Sequence, residues 1–584
     1  MERWWTEVPA DEWSDAIVAA MKLGGVDNLF FVSGSELTFY QEAIAKAAAK
    51  RTPAPRLIGM THENVALNAA LGNAMARNKP AATAVHVDAG TLHYGAAIHT
   101  AWRGGYPVLM TAGTAPRAFP GSMRGARNGG VQYFQEARDQ GEIVRQYTKM
   151  DHRMESLDNP GLMVTRLLQI AMSEPKGPVY LSIPQEVAAT PLPGHAHFPA
   201  LDEMGIARPS FPDPADAKEI ATWLVHAENP LFSLGGVGRD SRAVEEIVRL
   251  AELLAVPVTE PAHADRMNFP GTHWAYETGP SAKDADVLVV FEDAIPFTPG
   301  EGAPPPETKI AWISADPVLS RFKTREFRAD LWLSASGAAV AASVYEEATK
   351  LLNQSDLHRI ADRRAHLEAN RHEIDARQTT LAEEDLKSGR LTGRLVGYML
   401  GGLLEPDAVL MNDALGSSSF VRHYAKRSRA GTTYRSGSTS GGWGSGAAFG
   451  VKLARPDSDV VHATGDGYFM FGTPLASLLA ASHYKAAYLA VVFVNGSYST
   501  GTSGLRTSYP EGYAVSSGNY EGGSFDPPPN FAKLGEAANG YGEEVTSAAD
   551  LEPALRRGLE MTRDNVPAVI AVHVPGPLQE QKRG

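Results

Sequence analysis

The 584-residue chain contains no cysteine, which removes disulfides, thiolate nucleophiles and cysteine-ligated zinc or iron–sulfur sites and agrees with a reducing compartment. It also lacks any window approaching the roughly 18–20 uncharged apolar residues of a membrane-spanning helix. The first residues, MERWWTEVPADEW, have neither signal-peptide nor transit-peptide character. A cytoplasmic location without a membrane partner is the expectation. Positive charge is in deficit, with 54 Lys plus Arg against 67 Asp plus Glu and a net of −13. That is the wrong sign for a chain that wraps nucleic acid, so no nucleic-acid partner is expected. Hydrophobic content of 43% and charged content of 21% are ordinary globular values, which exclude collagen-like and disordered readings.

What is present is αβ alternation in three blocks. In the first, NLFFVS (28–33), AATAVHV (81–87), YPVLMTAG (106–113) and GPVYLSIP (177–184) alternate with Ala-rich stretches such as VALNAALGNAMA (65–76), the pattern of buried parallel strands with helical crossovers. The Pro-rich ATPLPGHAHFPA (189–200) reads as a surface linker. A second block carries PLFSLGG (230–236), VPVTEP (256–261), DVLVVF (286–291) and KIAWISADP (309–317). Residues 355–394 mix charges of both signs and read as a solvated helical connector. The third block returns to strands with DAVLMN (407–412), DVVHATG (459–465), YLAVVFVN (488–495) and AVIAVHVP (568–575). The fold class expected is α/β with three doubly wound parallel-sheet domains, at 1–190, 200–350 and 395–584, the last two joined by a charged helical connector at 351–394.

The chemistry concentrates at Gly465-Asp466-Gly467, which ends one strand, and Asn495-Gly496-Ser497, which ends the next; Asp466 and Asn495 are 29 residues apart. Strand carboxyl ends form the ligand crevice of an open parallel sheet, so this spacing delivers a carboxylate and a carboxamide to one place. Two hard oxygen donors suit magnesium, and flanking glycines permit close backbone approach to a diphosphate. In the first block, Thr61-His62-Glu63-Asn64 opens an Ala-rich helix. A Glu there, taken alone, is more often a surface residue favoured by the helix dipole.

The two segments together resemble the thiamin-diphosphate-dependent enzymes of the benzoylformate decarboxylase and acetolactate synthase kind. The resemblance implies thiamin diphosphate and Mg2+ as cofactors, a pyrimidine-binding first domain, a central domain and a diphosphate-binding third domain. It places Asp466, Asn495 and Ser497 on the metal, and Gly465, Gly467, Tyr468, Ser417 and Ser418 on the cofactor. Glu63 becomes the cofactor's activator, sharing a proton with the pyrimidine ring. The large side chain that supports the bent cofactor falls on Gly441, and Trp443 takes over only through a local shift.

HENVALNAALGNAMARNKPAATAVHVDAGTLHYGAAIHTAW (62–102) extends the resemblance, and it implies that Ser35 binds the substrate carboxylate and that His86, 23 residues after Glu63, relays protons. His93 and His99 are weaker candidates. The family's second histidine is absent from Phe291-Glu292-Asp293-Ala294-Ile295-Pro296-Phe297. No flavin is expected from Gly235, Gly236 and Gly238. The leading expectation is decarboxylation of a small 2-oxo acid with carboligase activity; the alternatives are an acetolactate-synthase-like carboligase, a 2-hydroxyacyl-CoA lyase using Arg117, Arg124 and Arg127, and a regulatory subunit without turnover. The family's geometry implies a homodimer or homotetramer with active sites between chains.

Overall fold

The computed structural model describes residues 4–261, 264–525 and 527–576. Three parallel sheets form the layers. The first runs in the spatial order Arg56–Gly59, Asn28–Phe31, Ala81–Val85, Val108–Thr114, Val179–Pro184, Asp151–Arg153. The third runs Thr433–Tyr434, Val409–Asp413, Val460–Gly465, Leu489–Val494, Ala568–His573, Tyr541–Val545. The two orders have one topology: the first strand of the core pairs outward with the second and inward with the third. The switch point therefore falls between Asn28–Phe31 and Ala81–Val85 in one sheet and between Val409–Asp413 and Val460–Gly465 in the other. Crevices open at such points, at the strands' carboxyl ends. The central sheet has five strands, Val258–Thr259, Pro230–Leu234, Val287–Phe291, Lys309–Ser314 and Leu331–Ser334 in spatial order.

The continuous apolar runs become strands because both faces are covered: Leu489–Val494 and Ala81–Val85 are buried along their whole length. The shorter strands Arg56–Gly59 and Asp151–Arg153 are sheet edges with part-exposed residues, and their sequences lack the apolar run that marks the others. The stretch read as a surface linker mixes exposed, half-buried and buried residues, and its residues Pro191–Phe198 pair antiparallel with Thr6–Glu12. Proline is tolerated there because a two-stranded ribbon leaves each strand one free edge. The charged stretch forms one helix, Gln354–Lys387, whose Asn353 cap accepts from the backbone amides of Ser355 and Asp356.

The first and third domains share a single hydrophobic core, joined where helix Glu63–Arg77 crosses helix Gly444–Ala454. Glycine makes that crossing close. A Cβ at Gly450 would lie 1.9 Å from the Ala69 carbonyl oxygen and one at Gly72 would lie 2.1 Å from that of Ala447. Asn73 closes the contact by donating from Nδ2 to the Gly450 carbonyl at 3.1 Å.

Candidate active site

Two clusters sit at the two switch points. In the first domain, the chain leaves Asn28–Phe31 through Gly34 into a short turn, Ser35–Leu37, while His86 follows directly on the neighbouring strand Ala81–Val85. Gly34 is required for the approach, since a Cβ there would fall 2.2 Å from the His86 ring. Ser35 and His86 do not meet each other directly; both meet Glu36. The Glu36 carboxylate is fully buried and accepts from Ser35 Oγ at 2.8 Å, from Gln132 Nε2 at 2.9 Å and from His86 Nε2. Burial works against its charge, but the hydrogen bonds from His86, Gln132 and Ser35 outweigh it and hold the carboxyl at about 2. Gln132 is itself fixed, its Oε1 accepting from the amides of Asn128 at 2.7 Å and Gly129 at 3.3 Å.

Glu63 is the first residue of its helix. His62 caps that helix, its Nδ1 accepting from the Asn64 amide at 3.2 Å. Glu63 is 9% exposed, and its Oε2 is 3.1 Å from His93 Nδ1. Gly90 links the two groups: its amide donates to the His86 carbonyl at 2.7 Å, and a Cβ on it would lie 3.4 Å from Glu63 Oε1. His99 lies elsewhere, lining a cavity of about 360 Å³ between domains with Arg103, Glu292, Asp293 and Ser438. The segment Phe291–Phe297 thus faces that cavity with carboxyls: burial raises Glu292 to about 7 and Asp293 to about 6.

In the third domain the Asp466 carboxylate bridges two strand ends. Its Oδ2 accepts from the amides of Asn495 and Gly496, both at 2.8 Å, and its Oδ1 from that of Gly467 at 2.8 Å. Burial raises its pKa against the pull of those amides. Asn495 Oδ1 in turn accepts from the amide and hydroxyl of Ser497 at 2.9 and 2.8 Å. Nothing lies within 4 Å of a Cβ built on Gly465, so its crevice side is open. Asp413, at the end of the adjacent strand, holds the glycine loop by accepting from the amides of Gly442 and Gly444 at 3.1 and 3.2 Å. Gly441 abuts the Tyr468 ring, which a Cβ would meet at 2.3 Å, while Trp443 is buried in the core at 2% exposure. The space a side chain at 441 would take is therefore filled by Tyr468. Ser417 and Ser418 begin the helix after Val409–Asp413, with the Ser418 carbonyl accepting from Asn412 Nδ2 at 3.0 Å.

Two family models match the chain at these clusters, the N-terminal TPP binding domain of thiamine pyrophosphate enzymes at residues 11–143 and their C-terminal TPP binding domain at residues 414–572. The chain belongs to the thiamine pyrophosphate enzymes. It is 26% identical to a benzoylformate decarboxylase of Pseudomonas aeruginosa, over 75% of this chain and 78% of that one. It is also 26% identical to a probable acetolactate synthase of Mycobacterium bovis, over 95% of this chain and 94% of that one. A thiamine diphosphate-dependent 4-hydroxybenzoylformate decarboxylase of Rhodococcus jostii has the same fold, with a TM-score of 0.74 at 19% identity over 97% of this chain and 100% of that one. Thiamine diphosphate is accordingly the cofactor of this thiamine pyrophosphate enzyme.

The residues present fit that group. The open side of Gly465 gives a diphosphate room, and Asp466 and Asn495, held together at adjacent strand ends, are oxygen donors of the kind that would suit a hard cation. Among the described residues no group of three or more His, Asp or Glu side chains could by itself hold a metal ion. No helix among the described residues is long and apolar enough to cross a membrane. Glu36 and Gln132 were not identifiable as site residues by motif. Glu36 carried one signal, an acid beside Ser35 at a strand's carboxyl end; Gln132 carried none, because the helix that holds it, Val131–Phe134, is too short to show a periodicity.

Proposed function

We propose that this enzyme decarboxylates a small 2-oxo acid and releases the aldehyde, with carboligation as a secondary outcome, using Mg2+ to anchor the cofactor. The observation that carries the reading is the Ser35–Glu36–His86 chain at the same crevice as Glu63. Release of an aldehyde requires a proton at the carbon that loses carbon dioxide, whereas joining two 2-oxo acids hands that carbon to a second carbonyl. A histidine held against a buried carboxylate is the group such a protonation needs.

Thiamin diphosphate supplies, when bound, a nucleophilic carbon and an adjacent electron sink. Asp466, Asn495 and the Ser497 carbonyl would hold the metal, Gly465 and Gly467 would admit the diphosphate, and Ser417 and Ser418 would offer hydroxyls to it. Tyr468, which fills the place of a side chain at Gly441, would pack against the bound cofactor. Glu63 presents Oε1 to the crevice and holds a shared proton there. His86 moves protons at the substrate oxygen and carbon, with Glu36 fixing its ring through Nε2, and Ser35 orients the substrate carboxylate.

Two features support a site completed by a second copy of the chain. No hydrogen bond or ion pair among the described residues joins Glu63 to the Asp466 cluster. Phe119, Met123, Val131, Tyr133 and Phe134, between the first domain's strands, are all more than half exposed.

The near-complete coverage of the acetolactate synthase relative favours a second reading, carboligation as the main activity. The test is titration calorimetry of thiamin diphosphate with magnesium into wild type and Asp466→Ala, then product analysis on a 2-oxo acid panel with wild type, Glu63→Gln and His86→Ala. Aldehyde lost in both of the last two variants, with binding lost in Asp466→Ala, is the expected result. A 2-hydroxy ketone as the main product would establish the second reading, and binding without any turnover would leave a regulatory subunit.

A further inference from the structure

The activator's carboxyl has two oxygens in unlike surroundings. Oε2 faces His93 Nδ1 at 3.1 Å, while Oε1 receives no hydrogen bond among the described residues and lies beside the bare Gly90. His93 is held in place by its ring, stacked on His62 with centroids 5.7 Å apart and planes 10° from parallel. His62 is anchored in turn, because its Nδ1 accepts from the Asn64 amide and so cannot carry a proton. The His93 side chain is 64% exposed.

We propose that His93 is a positioning residue that assigns the shared proton of Glu63 to Oε1. The assignment rests on Glu63 being the activator, as argued above. With a neutral imidazole donating from Nδ1–H to Oε2, Oε2 is an acceptor only, and a proton on the carboxyl must reside on Oε1, the oxygen open to the pyrimidine.

The experiment compares wild type, Glu63→Gln, His93→Ala and His93→Asn, each loaded with thiamin diphosphate and magnesium. It reads the hydrogen–deuterium exchange rate at the thiazolium carbon by quenched-flow NMR across pH, and cofactor affinity by calorimetry. Loss of the Nδ1–H donor in His93→Ala is expected to slow exchange by about ten- to a hundredfold, the scale of a misplaced catalytic group, with cofactor affinity within about threefold. His93→Asn keeps an N–H donor at that position. It is expected to recover most of the exchange rate. Unchanged exchange in His93→Ala alongside slow exchange in Glu63→Gln would overturn the proposal and leave the activator reading standing. Loss of cofactor affinity in both His93 variants would also overturn it, by showing a structural role. Undiminished exchange in Glu63→Gln would remove the activator reading, and the proposal with it.

Discussion

At the residue scale the first domain's crevice is organised by a side chain the motifs passed over. Ser35 and His86 were legible because they fall at strand ends in a recognisable pattern; Glu36 was not, because an acid in the first turn of a helix is usually a solvated residue. Its burial, and the convergence of three donors from positions as far apart as 35, 86 and 132, exist only once the strands pair at the switch point. The sign of its pH effect follows from its pKa. Held at about 2 in the folded chain against 4.5 when free, Glu36 adds stability that is fully present above pH 4.5 and is lost as pH falls through 2, on the order of 3 kcal/mol in all. Wild type is therefore expected to lose stability more steeply than Glu36→Gln below pH 4.5 in acid titrations followed by circular dichroism. With thiamin diphosphate bound, the same variant should lower kcat by up to about a hundredfold, since His86 loses the charge that fixes its ring, while cofactor affinity measured by calorimetry stays near the wild-type value. A parallel acid slope in the two proteins would show that Glu36 is not held ionised.

At the element scale the two cofactor-facing domains are joined by a helix crossing that composition hides. The Ala-rich 65–76 stretch was readable as a helix, yet an Ala-rich face says nothing about its partner, and the partner, Gly444–Ala454, lies nearly 370 residues later. The glycines at 72, 446 and 450 are the only trace of it in the sequence. They let two backbones approach so closely that the N-terminal turn carrying Glu63 and the glycine loop held by Asp413 are set by one rigid contact. A methyl group at position 450 would collide with backbone, which cannot rotate away. Gly450→Ala is expected to cost at least about 1–3 kcal/mol, the usual penalty of overpacking, seen as a lower denaturant midpoint with an unchanged slope. Gly402, with nothing within 4 Å of an added Cβ, is the control: Gly402→Ala should leave the midpoint unchanged or raise it slightly. Equal midpoints for Gly450→Ala and wild type would show that the crossing can open.

At the scale of the whole molecule, charge is stored where the domains meet. The central domain brings Glu292 and Asp293 into the cavity shared with Arg103, His99 and Ser438, and a third buried acid, Glu260, accepts from the Tyr276 hydroxyl at 2.9 Å near the third domain's Arg422. Burial raises all three, Glu292 and Glu260 to about 7 and Asp293 to about 6. Their effect on stability is opposite in sign to that of Glu36. Above pH 7 each must be ionised in a poorly solvated place, a cost the unfolded chain does not bear; as pH falls from 7 toward 4.5 the folded chain takes up protons that the unfolded chain does not, and the cost disappears. The thermal midpoint should therefore rise as pH is lowered from 8 to about 5 and fall again below 4.5, where Glu36 and the surface carboxylates dominate. Glu292→Gln removes one of the three costs while keeping the shape and a hydrogen-bonding end, so its midpoint should exceed that of wild type at pH 8 and converge on it by pH 5. Scanning calorimetry of both proteins over that range, at one protein concentration so that assembly does not shift the midpoint, decides it. A midpoint that climbs steadily with pH up to 8 would mean that the arginines around the cavity keep these acids ionised, and that the domain junction is held by ion pairs and not by neutral carboxyls.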